Sequence, residues 1–96
     1  MSPEQLAGRK IDGRSALFSL GVTLYQLVSG ELPFVGGSMA RLMYKITNEP
    51  APEIRQVHAD APVELAVVID RALRKDPAER YQTGEELARE LRACLA

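Results

Sequence analysis

Apolar residues recur at helical spacing along most of the chain. Leu65, Ile69 and Leu73 repeat every four residues, joined on the same side by Ala66, Val68 and Ala72. Leu87, Leu91 and Leu95 repeat in the same way near the C-terminus. Both series predict one-faced amphipathic helices with charged outer sides. The run Leu17, Phe18, Leu20, Val22, Leu24, Tyr25, Leu27 and Val28 is different, because it covers most of a helix circumference. A helix apolar all round expects neighbours on every side. No convincing strand alternation and no internal repeat is present, so the predicted fold class is all-α.

Turn and capping residues place the boundaries. Ser2-Pro3-Glu4-Gln5 reads as a helix start, with Ser2 as cap, Pro3 in the first position and Gln5 closing a capping box; Gly8 ends it. The long apolar helix runs from about Ser15 to Ser29 and stops at Gly30. Ser38 caps a helix over Met39 to Thr47, ended by Pro50 and Pro52, and a loop is expected up to Asp60. The next helix opens at Asp60 or Ala61 and reaches about Arg74, where Lys75-Asp76-Pro77 breaks it. Thr83 caps the last helix, with Glu86 completing a Thr-x-x-Glu box.

Composition narrows the function classes. Ninety-six residues make one domain, 1–96, and 46% hydrophobic with 26% charged residues is ordinary globular usage. A chain this small buries only a little over ~60% of its unfolded surface. A net charge of -1 lacks the basic excess of a nucleic-acid binder. The single cysteine, Cys94, excludes an internal disulfide framework and a Cys-rich zinc site, and a lone thiol suits a reducing, cytoplasmic setting. The first residues carry neither a basic nor an apolar signal region. Ala16 to Val28, interrupted by Ser19, Thr23 and Gln26, is too short and polar to span a bilayer.

Four motifs in order carry a family resemblance: Ser2-Pro3-Glu4, Arg14-Ser15-Ala16-Leu17-Phe18-Ser19-Leu20-Gly21-Val22, Gly30-Glu31-Leu32-Pro33-Phe34, and Arg74-Lys75-Asp76-Pro77-Ala78-Glu79-Arg80-Tyr81. The chain resembles the lower C-terminal lobe of a bacterial-type serine/threonine protein kinase. The motifs look like the Ala-Pro-Glu end of the activation segment, the start of the central F helix, the Gly-x-x-Pro-Phe loop and the Asp-Pro-x-x-Arg segment. The resemblance covers essentially the whole chain. It implies a short EF helix followed by helices F, G, H and I, and a structural ion pair between Glu4 and Arg80.

It also shows what these residues lack. Phosphoryl transfer needs groups that hold ATP, metal and the acceptor hydroxyl. No Gly-x-Gly-x-x-Gly, His-Arg-Asp or Asp-Phe-Gly occurs; His58-Ala59-Asp60 and Asp12-Gly13 are lookalikes at the wrong place in the order. No catalytic residue, cofactor or metal is therefore expected. Ala16 stands where the family usually has an aspartate that reaches the catalytic loop. A desolvated carboxylate without that partner costs several kcal/mol, so alanine at this position is expected to remove a penalty.

The leading expectation is a non-catalytic interaction or self-association module. Its surface would be Ala16, Leu17, Leu20 and Leu24, its partner a second copy in a homodimer, possibly swapped, and not nucleic acid or membrane. Two alternatives stand beside it. One is a segment of an active serine/threonine kinase; the other is a docking module on the G helix, using Met39, Arg41, Leu42, Tyr44 and Lys45.

Overall fold

The computed structural model describes residues 1–95, with side chains to Cys94; the Leu95 side chain and Ala96 lie outside the described residues. The described residues form six α-helices and one 3-10 turn in the order α1 (Pro3–Leu6), α2 (Gly13–Ser29), α3 (Met39–Asn48), α4 (Ile54–Val57), α5 (Val63–Ala72), the turn Pro77–Glu79, and α6 (Gly84–Leu95). The described residues contain no strand.

Local chemistry sets most of these limits. The Ser2 box forms in full: the Gln5 amide donates to Ser2 Oγ at 3.4 Å, and the Ser2 amide donates to Gln5 Oε1 at 2.7 Å. Helix α2 starts two residues ahead of the expected Ser15, because the Asp12 carboxylate accepts from the Arg14 amide at 2.9 Å and so becomes the cap. Its end matches the expected stop, with Gly30 left-handed at φ 78°. Helix α4 lies inside the segment expected to be loop; its anchor is Ile54, buried in the core. Helix α5 starts at Val63 with Pro62 outside it, and it ends at Ala72 instead of about Arg74. The carbonyls of Arg74 and Lys75 turn instead toward the Arg80 guanidinium, at 2.6 and 3.1 Å. At α6 the Glu86 amide donates to Thr83 Oγ1 at 3.1 Å, while the Glu86 carboxylate accepts from Gln82, one residue before the expected partner.

Two core clusters lie against α2. Phe18 and Tyr25 meet Phe34, Ile54, Ala61, Ala66, Ile69 and Leu73. Leu17 meets Val68, Ala72, Tyr81 and Leu87, with Leu91 and Cys94 packed at the edge. The two sides of α5 feed different clusters, so α5 lies between α2 and α6. Close approach of α2 to α5 depends on Gly21: a Cβ there would lie 2.8 Å from the Ala72 Cβ.

The molecule extends 39 × 28 × 16 Å. A helix with side chains is about 10–12 Å across. Along the short dimension there is therefore no room for helices on both sides of α2. One side of α2 is packed and the other is open, whereas the all-round apolar pattern predicts neighbours on every side.

Candidate functional site

A buried polar hub joins the two ends of the chain. Arg80 is fully buried and Glu4 is 4% exposed. The guanidinium donates to both Glu4 oxygens, each at 2.7 Å, in the bidentate fork expected of arginine and carboxylate. Its other N–H groups reach the carbonyls of Arg74, Arg14 and Lys75 at 2.6, 3.0 and 3.1 Å. All five guanidinium donors are thus used. Ser15 Oγ donates to Glu4 at 2.7 Å, which ties the start of α2 to the same hub. Phe18 closes it from below, its ring centroid 4.8 Å from the guanidinium carbon.

Burial pushes the Glu4 carboxyl up in pKa, but the hydrogen bonds from Arg80 and Ser15 outweigh it and bring the group from 4.5 to about 2. Between those values the unfolded chain binds the extra proton, so this contribution is complete above pH 4.5 and is lost as pH falls toward 2. Its size is about 3 kcal/mol. Thermal melts from pH 7 to pH 3 are expected to show a steep acid loss that Glu4→Gln largely abolishes. Parallel acid profiles for the two proteins would contradict this assignment.

The four residues of the expected self-association surface do not lie on one face. Ala16 and Leu20 are exposed, Leu20 at 43%. Leu17 is buried among Val68, Ala72, Tyr81 and Leu87, and Leu24 is half-buried against the Phe18 cluster. Both correct the expectation, because the packed side of α2 is wider than an upper-flank reading allows. The open side consists of Ala16, Ser19, Leu20, Thr23, Gln26 and Leu27, the last 76% exposed. Ala16, Leu20, Thr23 and Leu27 follow a four-three-four spacing, which places them in one stripe. From Ser15 to Gly30 no residue is charged. Leu27, the most exposed member, was missed as a surface residue; the signal available was the 16-20-23-27 spacing.

Exposure of Ala16 also overturns the expected desolvation penalty. A carboxylate at an open position near a helix N-terminus is hydrated and dipole-favoured. The penalty applies only if something covers this face.

The α3 residues divide as well. Met39 and Tyr44 are 70% and 59% exposed, and Arg41 is exposed. Leu42 packs against the Phe18 cluster, and Lys45 is half-buried, so neither lies free on an outer surface. His58 is exposed at the end of α4, and Asp12 is bonded to Arg14. Among the described residues no group of three or more His, Cys, Asp or Glu converges. A groove of about 690 Å³ runs between α5 and the Pro50–Arg55 connector. On its rim Arg74 pairs with Asp70 at 3.1 Å and Arg55 donates to the Ala61 carbonyl at 3.1 Å, and among the described residues no nucleophile and base meet there.

No family model matches the chain. Curated relatives do. Over 92 residues the chain is 42% identical to the serine/threonine-protein kinase PknB of Mycolicibacterium smegmatis, covering 95% of this chain and 15% of that protein. A probable serine/threonine-protein kinase of Streptomyces coelicolor is 36% identical over 95 residues, 99% of this chain and 14% of that protein. Among solved structures, the titin kinase with its flanking domains superposes at TM-score 0.83 and 24% identity, over 93% of this chain and 16% of that one. The twitchin kinase region from C.elegans superposes at 0.82 and 21%, over 95% and 15%. At those identities the two structures speak to fold. The chain spans about one seventh of the length of the relatives it matches. In sequence and in fold, this chain matches a segment of the C-terminal lobe of bacterial-type serine/threonine protein kinases.

Proposed function

We propose that these 96 residues act as a non-catalytic association module, a kinase C-lobe base whose open α2 side is covered by a second copy of the chain. One observation carries this reading: the exposed stripe Ala16, Leu20, Thr23 and Leu27, with Ser19 and Gln26 beside it, holds no charge. On a chain with 26% charged residues an uncharged helix side is a poor solvent surface. It can also face its own copy without opposing like charges, as a two-fold contact requires. The stripe spans twelve residues, about 16 Å of helix. That is small beside the ~800 Å² per partner of a standard interface, so a weak, reversible association is expected.

Ala16→Asp separates folding from association. In a single chain the new carboxylate is hydrated, and the melting temperature of dilute protein is expected to stay within a few degrees of the parent. In the dimer it is desolvated and repelled, so association is expected to weaken at least tenfold. A dilute melting temperature lowered by many degrees, or unchanged association, would contradict the proposal. The non-catalytic part is tested by calorimetry with ATP and magnesium, where no saturable heat is expected; saturable ATP binding would overturn it.

A second reading has its own support. Because the chain covers about 15% of its kinase relatives, the same stripe could seat the rest of a catalytic lobe in an active serine/threonine kinase. Ala16, where the family's aspartate would reach the catalytic loop, lies on that stripe. Under that reading Ala16→Asp strengthens assembly with the missing lobe instead of weakening self-association.

A further inference from the structure

We infer that α3 opens as a unit from the rest of the fold, and that the Lys75 ammonium is the latch that keeps it seated. Helix α3 has no buried residue. It is held by the partial burial of Leu42 and Ile46 against the Phe18 cluster and by a contact with the short helix α1. It is bounded by Gly36-Gly37 on one side and by Pro50 and Pro52 on the other.

The C-terminal end of α3 shows why a latch is needed. The carbonyl of Ile46 would ordinarily accept from the amide of residue 50, four positions on. Residue 50 is proline and has no amide hydrogen. Lys75 Nζ supplies the missing donor at 2.5 Å and donates to the Lys45 carbonyl at 3.1 Å. These are the only hydrogen bonds that reach α3 from another element among the described residues. The ammonium also lies 4.1 Å from the Phe34 ring centroid. A cation at a helix C-terminus and over an aromatic face is favoured by both. Lys75 comes from the corner that Arg80 fixes, so a rigid part of the molecule grips a loosely packed one. Opening uncovers Leu42 and Ile46 beside Met39 and Tyr44, which are already exposed.

Native-state hydrogen exchange of the full chain, followed through low denaturant, tests this. The Met39–Asn48 amides are expected to exchange by a local opening that denaturant hardly affects, while α2 and α5 exchange only with global unfolding. Lys75→Met keeps the aliphatic stem and removes the donors; it is expected to speed α3 exchange about tenfold and leave the slowest α2 and α5 amides within about twofold. Exchange of wild-type α3 only through global unfolding would overturn the inference. So would a Lys75→Met protein that leaves α3 unchanged, accelerates every helix alike, or fails to fold.

Discussion

Arg80→Met is expected to destabilise the chain by about 3–5 kcal/mol, the usual cost of removing one partner of a buried ion pair. A small domain has only about 5–15 kcal/mol in total, so this removes a large share of its stability. The loss is large because Glu4 is left as a buried carboxylate with Ser15 as its remaining side-chain partner. The carbonyls of Arg14, Arg74 and Lys75 also lose their donor. Arg80→Lys is expected to recover little, since one ammonium cannot reproduce five donors in a plane. The double variant Glu4→Gln with Arg80→Met removes the stranded charge and is expected to be more stable than Arg80→Met alone. Denaturant melts of the three variants check this. A loss under 1 kcal/mol for Arg80→Met would show that the hub is not structural.

Gly21→Val is expected to cost about 3 kcal/mol, the upper end of overpacking penalties. A Cβ at this position would lie 2.8 Å from Ala72 Cβ and 3.2 Å from Leu73 Cδ2. Ala72 is fully buried and cannot swing aside. Gly21→Ala meets the same wall with fewer atoms and gains roughly 1 kcal/mol of helix propensity, so its net effect is smaller. Adding Ala72→Gly to Gly21→Ala removes the collision and is expected to restore part of the loss, a non-additivity diagnostic of direct contact. Gly84→Ala is the control, because nothing lies within 4 Å of a Cβ there. Its melting temperature is expected to hold or rise; equal losses at Gly21 and Gly84 would contradict the packing account.

The parts legible from sequence were those governed by local chemistry. Ser2, Gly30 and Ser38 are caps whose hydrogen bonds lie within three or four residues, and they marked the ends of α1, α2 and α3 closely. The Leu65-Ile69-Leu73 series marked α5 because a period of four residues needs no tertiary information. Helix α4 was not legible: four residues carry no period, and Ile54 holds it through a distant core. The early end of α5 depends on Arg80, which Glu4 holds from 76 positions away, and the seating of α3 on Lys75, 29 positions from Ile46. The resemblance pointed to Glu4 with Arg80, but not to the three carbonyls and Ser15 that complete the hub. On α2 an all-round apolar pattern could not say which residues face inward. The structure turns Leu17 into the core and leaves Leu27 outside.

Sedimentation equilibrium of the full chain between about 1 and 500 µM tests most directly whether the uncharged α2 stripe is an association face. A reversible monomer–dimer equilibrium in that range is predicted, moved toward monomer by Leu27→Glu with the melting temperature of dilute protein unchanged. A monomer throughout, or a dimer indifferent to Leu27→Glu, would contradict the account.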